Sequence, residues 1–363
     1  MVKFVFGREL TDEEEFFDRD EEVRTLINYI ENRQPVAIIA PRRIGKSSLL
    51  NFVKLKVSDK YIVAKLSLEG ITSIEEFGDE LNRKLILDSL AKSLKLRIKF
   101  NLTNVLASLN QFLGSIKSIG IRLNNLEVYI EKYSLFKQDK LRPNEIIDDI
   151  LLLPQRISDD LNKRVVIMID EFQKIRYLKQ PFPRILETMR KRFQESDLVE
   201  VIISGSEVGL IEEMLENPRE PFYNFFKIER LRPFDKETSI RFLDEGLKGS
   251  CRELYERGYE ITKGFPAWLN LLGLVLEKEC SIDAFFNDPN VEIELRRDLD
   301  GLTRNELKVL KGLAQGLKIS QIQVSNPYRV INSLRNKGLV EKFDDKYEIV
   351  DPILSYYLAH QMK

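Results

Sequence analysis

Residues 36–50 constrain this chain more than any other stretch. Val36-Ala37-Ile38-Ile39-Ala40 is an apolar, β-favouring run, Pro41-Arg42-Arg43-Ile44 is a polar loop, and Gly45-Lys46-Ser47-Ser48-Leu49-Leu50 opens a helix. This strand–loop–helix order is the context a phosphate-binding P-loop requires. The loop and helix-start N–H groups converge on one spot, where the helix dipole favours negative charge. The segment from Ala40 to Ser48 is therefore the expected phosphate cradle. Lys46 is placed to reach the β- and γ-phosphates, and the Ser47 hydroxyl to ligate Mg²⁺. Ala40 stands where the motif has its first glycine, a mild change because alanine keeps the turn small.

The rest of the composition narrows the surroundings of that loop. With 363 residues the chain has room for two or three domains and an ample core. Its 43% hydrophobic and 32% charged content is that of a globular chain rather than a disordered one. A formal net charge of −1 removes any whole-protein argument for nucleic-acid binding, so a binding face has to be a local patch. Cys251 and Cys280 have neither metal nor redox spacing, and they are expected as reduced thiols of a cytoplasmic protein. Charges at Lys3, Arg8 and Glu9 leave no signal-peptide core, and no apolar run has membrane-spanning length.

Strand and helix patterns alternate through the first two-thirds. A helix is expected over Glu13 to Asn32, with strands at 36–40, 61–68, 165–169, 198–203 and 226–231. A long helical stretch is expected over 71–133, opening with capping boxes (Thr72 with Glu75, Ser73 with Glu76). Another helix, interrupted near Pro154, is expected over 144–162. Strands alternating with helices imply a parallel α/β sheet with ligands at the strand C-termini. The pattern becomes wholly helical from Asp235 to about Asp298. Helix, helix, helix and hairpin then follow, the order of a winged helix-turn-helix. The expected division is an α/β core over 1–234 with a helical insertion at about 71–140, a helical lid over 235–298, and a winged helix over 299–363.

Val165-Val166-Ile167-Met168-Ile169 is apolar on both faces, as a central parallel strand must be, and it ends in Asp170-Glu171. Downstream of a P-loop, this resembles a Walker B motif with a catalytic glutamate. Asp170 would hold Mg²⁺, directly or through water, and Glu171 would orient and deprotonate the attacking water. Ser204 and Ser206 end the next strand, where this enzyme class places a polar residue that senses the γ-phosphate. Asp18 and Arg19, just before the first strand, belong to a polar cluster suited to packing over adenine and ribose.

These pieces together resemble the archaeal ATPase family, a branch of the P-loop NTPases related to the signal-transducing STAND ATPases and to the archaeal origin-recognition initiators. The matching segments are Phe17-Asp18-Arg19 with Glu22, Pro41 to Ser47, Ile169 to Gln173, Ile203 to Ser206, Gly264-Phe265-Pro266 and Val350-Asp351-Pro352. The resemblance implies an ASCE/AAA+-like P-loop core, a helical lid that sets Pro266 against the nucleotide, and a C-terminal winged helix. It implies an ATP/ADP- and Mg²⁺-dependent molecular switch. The family's Leu-Tyr-Gly-Arg segment appears here as Pro221-Phe222-Tyr223-Asn224-Phe225, without its arginine. Slow hydrolysis by the isolated chain is expected on that account, with Arg219, Arg230 and Arg232 as candidate substitutes.

The candidate recognition helix carries Tyr328, Arg329, Asn332 and Arg335 on its polar side, with Val330 and Leu334 expected in the core. Residues 301–363 hold ten Lys and Arg against six Asp and Glu, which is mildly basic. Two uses of the winged helix stay open, binding of double-stranded DNA and contact with a protein partner. The alternatives to a hydrolytic switch are a nucleotide-gated DNA-binding regulator with little or no hydrolysis and a replication-initiator-like loader acting as a nucleotide-dependent oligomer.

Overall fold

A computed structural model of the protein describes residues 2–95, 118–123, 126–131, 143–178 and 185–360. Five strands form one parallel sheet: β1 (Val36–Ile39), β2 (Ile62–Ser67), β5 (Val165–Asp170), β6 (Val199–Gly205) and β7 (Lys227–Arg230). Their order is β2-β5-β6-β1-β7, so one strand separates the P-loop strand from the strand that ends in Asp170. Strand β1 runs parallel to β7 with Val36 opposite Lys227 and Ile39 opposite Arg230. Burial on both faces explains the sequences: every residue of β1, β5 and β6 is buried.

Contacts divide the described residues into two compact units. One comprises the described residues of Met1–Leu55, Asp170–Gln173 and Ile203–Lys363; the other those of Lys56–Ile169 and Lys174–Ile202. In the second unit, helix α3 (Ile74–Lys95) buries Ile74, Phe77, Leu81 and Leu85 at helical spacing. Ser73 Oγ accepts the Glu76 N–H at its start, 3.2 Å away. The expected helical stretch over 71–133 is not one helix, because β3 (Ser118–Leu123) and β4 (Leu126–Glu131) form an antiparallel hairpin. Its sequence explains it: Ile119, Ile121 and Leu123, then Leu126, Val128 and Ile130, recur every second residue. The rest of that expected stretch, 96–117, 124–125 and 132–133, lies outside the described residues. Helix α4 (Pro143–Leu161) runs through Pro154 without the expected interruption. Leu151, Leu153 and Ile157 are buried around that proline, and their packing offsets the missing hydrogen bond.

The first unit holds the remaining helices. Helix α1 spans Asp20–Glu31 rather than starting at Glu13. Asp18 and Arg19 take left-handed backbone angles, φ 59° and 74°, which break the expected helix before it. Helix α2 (Lys46–Val57) follows the P-loop. Helices α5 (Ile185–Glu195) and α6 (Val208–Glu216) flank β6 in sequence, α5 belonging to the other unit. A helical group follows: α7 (Lys236–Leu247), α8 (Tyr255–Thr262), α9 (Pro266–Leu276), α10 (Ile282–Phe286) and α11 (Pro289–Leu299). Cys251 and Cys280 form a disulfide here with Cα atoms 5.6 Å apart, which corrects the expectation of free thiols. The spacing of 29 residues carried no motif because the pairing is made by the fold that brings the α7–α8 connection to the end of α9.

The C-terminal elements are α12 (Arg304–Ala314), α13 (Pro327–Asn336), the antiparallel pair β8 (Val340–Phe343) and β9 (Lys346–Ile349), and α14 (Pro352–His360). Ile331 and Leu334 are the buried residues of α13, while Val330 is only half-buried. Among the described residues, no helix is long and apolar enough to cross a membrane.

Glu306 fastens α12 to α13. It completes a capping box with Thr303, accepts Ser333 Oγ at 2.8 Å, and pairs with Lys337 Nζ at 2.7 Å. Burial pushes its carboxyl up, but the hydrogen bonds from Lys337, Thr303 and Ser333 outweigh that and hold its pKa at about 2. A depressed carboxyl pKa contributes stability above its unfolded value, and that contribution disappears as pH falls through the folded one. Acid unfolding should therefore show a loss on the order of 3 kcal/mol from this group between about pH 4.5 and 2. Glu306→Gln should flatten that limb when stability is measured against pH. Reduction of the disulfide should cost about 2–4 kcal/mol in denaturant titrations, and Cys251→Ser should cost the same.

Candidate functional site

The P-loop brings its lysine back over its own backbone. Lys46, the first residue of α2, is 4% exposed, and its Nζ donates to the carbonyls of Ala40 and Pro41, each at 2.8 Å. Burial pushes the ammonium pKa down, while the negative charges of Glu171 and Asp170 push back. Ala40 N–H donates to the Gly205 carbonyl at 3.3 Å, which ties the loop to the end of β6. Gly45, φ 96°, makes the turn into α2.

Next to the loop, Asp170 gathers the hydroxyls. Ser47 Oγ donates to one carboxylate oxygen, and Ser204 Oγ with the Glu171 N–H donates to the other. Ser47, Asp170 and Ser204 are thus three hard-oxygen side chains in one contact group. No group of three or more His, Cys, Asp or Glu that could hold a metal occurs among the described residues. Ser47 and Asp170 offer the hard oxygens that a divalent cation such as Mg²⁺ takes, one or two from the protein with the rest from water and phosphate.

Glu171 sits at φ 53°, a left-handed conformation unusual for glutamate. Its Oε2 accepts both Ser206 Oγ and Gln173 Nε2 at 2.6 Å. The structure therefore brings Lys46, Ser47, Asp170, Glu171, Ser204 and Ser206 together. It assigns the two serines to the carboxylates: Ser204 to Asp170 and Ser206 to Glu171.

Arg42 and Arg43 point to carboxylates of later helices. Arg43 (φ 71°) is buried, and its guanidinium donates to Asp298, to Asp351 Oδ2 at 2.9 Å, and to the carbonyl and Oε2 of Glu294 at 2.8 and 3.2 Å. It also lies 4.7 Å above the centre of the Trp268 ring. Burial opposes the Arg43 charge, but the charges of Asp351 and Asp298 more than offset this and raise its pKa. Arg42 donates to Asp298 Oδ1 at 3.0 Å. Asp351 caps α14 through the N–H groups of Ile353 and Leu354, and it accepts Trp268 Nε1–H at 2.9–3.0 Å. This cluster was not foreseen. Its one sequence signal, Val350-Asp351-Pro352, carried the family resemblance without indicating a partner for Asp351.

Helix α9 reaches the loop through its backbone. Gly264 has φ 74°, and a Cβ there would lie 1.9 Å from the Phe234 carbonyl oxygen, so only glycine makes this turn. It delivers Pro266 at the first turn of α9, where Ala267 N–H donates to the Arg43 carbonyl at 3.2 Å.

Arg19 donates to Glu22 and to the Arg232 carbonyl, both at 2.6 Å, and lies over the Phe234 ring. Asp18 pairs with Arg241 of α7 at 3.2 Å. Both therefore join the segment before α1 to the start of the helical group. Of the candidate substitute arginines, Arg230 is held by Glu212 and Glu216 of α6. Of Phe222, Tyr223, Phe225 and Phe226, all expected in the core, Phe222 and Phe226 are buried while Tyr223 and Phe225 are half-buried.

Tyr328, Arg329 and Asn332 are exposed on α13, whereas Arg335 is half-buried against the core. A Cβ on Gly209 of α6 would lie 2.9 Å from the Arg335 carbonyl oxygen. Gly338, φ 72°, follows α13, and a Cβ there would lie 2.6 Å from the Ser206 carbonyl oxygen. The residue that bonds Glu171 and the end of α13 are direct neighbours.

The fold is shared with known proteins. The Walker-type ATPase PABY2304 of Pyrococcus abyssi superposes with a TM-score of 0.70 at 20% identity, covering 97% of this chain and 98% of that one. The ORC2 protein of Aeropyrum pernix, solved as ADPNP–ADP complexes, superposes with a TM-score of 0.58 at 13% identity, covering 98% and 93%. At these identities the likeness is one of fold. No curated protein matches the sequence. Residues 16–272, well over half of the chain, match the family model for an ATPase domain found predominantly in Archaea. The chain is a member of that archaeal family of P-loop ATPases.

Proposed function

We propose that the protein is an ATP-hydrolysing switch whose nucleotide site is wired to its C-terminal helices. One observation carries this reading: Arg42 and Arg43 of the P-loop are held by Glu294, Asp298 and Asp351. An arriving triphosphate brings several negative charges to the loop that these carboxylates now share, so it must compete with them. On this reading the core spans residues 1–234, the lid 235–298 and a winged helix 299–363.

Lys46 exchanges its two carbonyl partners for β- and γ-phosphate oxygens. The loop backbone from Ala40 to Ser48 supplies N–H donors. Ser47 and Asp170 would hold Mg²⁺, which neutralises charge on the phosphates. Glu171 accepts the proton of the attacking water through Oε1, while Ser206 and Gln173 occupy Oε2. Asp18 and Arg19 border the adenosine side, and Pro266 closes over it from the lid. Cytoplasmic residence fits this use of ATP.

For the C-terminal unit, the exposed Tyr328, Arg329 and Asn332 favour a duplex-DNA reading of α13. Arg335 is half-buried on the same helix, whose backbone faces Gly209 of α6, and on this reading it is freed when the helix leaves α6. Nucleotide state would thus set how much of the helix is presented. The same arrangement accommodates a loader working as an oligomer, which requires nucleotide-dependent assembly.

Lys46→Ala should abolish ATP binding in calorimetry. Glu171→Gln should bind ATP with ordinary affinity and lose on the order of a hundredfold or more in single-turnover phosphate release. Equal turnover by wild type and Glu171→Gln would remove Glu171 from catalysis. Arg43→Ala tests the wiring by hydrogen exchange. ATP should raise exchange at 327–338 and 352–360 in wild type. In Arg43→Ala, exchange should be high already and unresponsive to ATP. For DNA, wild-type binding should weaken steeply with salt, and Arg329→Ala should reduce that slope.

A further inference from the structure

We infer that Gln173 is a positioning residue for Glu171, and that Gly205 lacks a side chain to make room for it. The inference rests on the reading of Glu171 as the base. Gln173 lies two residues beyond Glu171 in a short 3₁₀ helix (Phe172–Tyr177), and its side chain turns back toward the carboxylate. It is fully buried, and its Nε2 donates to Glu171 Oε2 at 2.6 Å, the oxygen that also accepts Ser206 Oγ at 2.6 Å.

The amide is used on one side only. Gln173 Oε1 is buried without a hydrogen-bond partner. Flipping the amide would bury that oxygen against a carboxylate oxygen, so the charge of Glu171 fixes the orientation. Burying a carboxamide with its acceptor unmatched is unfavourable, and an apolar side chain would fill the same space without that cost. What an apolar residue cannot supply is the donor to Glu171.

Gly205 corroborates this from the neighbouring strand. Its backbone is not in the left-handed region, so conformation does not require glycine there. Space does: a Cβ would lie 2.7 Å from Gln173 Oε1 and 3.2 Å from Ile211 Cβ. The carbonyl of the same Gly205 accepts the Ala40 N–H of the P-loop, so amide, strand end and loop are in register.

Two donors on Oε2 fix the carboxylate in one rotation and leave Oε1 for the water. That matters because Glu171 hangs from a left-handed backbone position and needs an external hold. A loosely held base loses the near-attack alignment on which proton transfer depends.

Gln173→Met keeps the length and volume and removes the donor. Single-turnover phosphate release and ATP affinity would be measured for wild type, Glu171→Gln, Gln173→Met, Gly205→Ala and the double variant. Gln173→Met should bind ATP like wild type and lose about tenfold or more in rate. The loss should fall on the rate alone, because the donor holds the carboxylate and makes no contact with the loop that binds the phosphates. Gly205→Ala should reproduce this, and the double variant should be no worse than Gln173→Met. If Glu171→Gln is inactive while Gln173→Met has the wild-type rate, the positioning role is overturned and the base reading stands. If Glu171→Gln keeps the wild-type rate, both fall. If the losses multiply in the double variant, Gly205 does not act through Gln173.

Discussion

One buried cation organises the first unit. Arg43 is a P-loop residue, yet its guanidinium lies among Glu294, Asp298 and Asp351 and over Trp268. Removing one partner from such a cluster typically costs about 3–5 kcal/mol, because the remaining charges stay buried without compensation. Three helices depend on it together with the loop: α9, which carries Trp268, α11, which carries Glu294 and Asp298, and α14, whose start Asp351 caps. The loop cannot change its hold on Arg43 without altering the surroundings of all three. That sharing makes nucleotide binding a matter for the whole unit rather than for the loop alone.

A second chain of contacts runs beside it and is made of carboxylates and hydroxyls. Ser47 meets Asp170, Asp170 meets Ser204, and Glu171 meets Ser206 and Gln173. Ser206 in turn backs onto Gly338 at the end of α13. The two chains leave the site at different points, one from Arg43 and one from Ser206, and both end in the C-terminal elements. Coupling by this route has a physical basis in packed contacts that cannot move singly.

What the sequence made legible follows from range. The P-loop and Asp170-Glu171 are runs of adjacent residues whose chemistry is written in their order, and the strands bearing them are apolar on both faces. The Arg43 cluster was invisible because its partners lie 251, 255 and 308 residues away, and nothing in an isolated glutamate or aspartate marks it. Gln173 was in plain view beside Glu171, but the turn that sends its amide back is set by the 3₁₀ helix. The hairpin over 118–131 carried a clear period of two, overridden in the reading by the helical pattern before it. The disulfide depended on the fold of the helical group.

Strain gives the last link between these pieces. Arg19, Arg43 and Glu171 all occupy left-handed backbone positions, which cost energy for side chains of their kind. Such conformations persist only where contacts over-determine them. Each of the three is held so: Arg19 by Glu22, the Arg232 carbonyl and Phe234; Arg43 by its carboxylates; Glu171 by Ser206 and Gln173. All three holds use charged or hydrogen-bonding groups, and a bound nucleotide acts most strongly on such groups. The backbone is therefore kept bent by the very contacts that phosphates and a metal would contest. On the proposed reading, nucleotide would therefore act first on the loop, on Glu171 and on the segment ahead of α1.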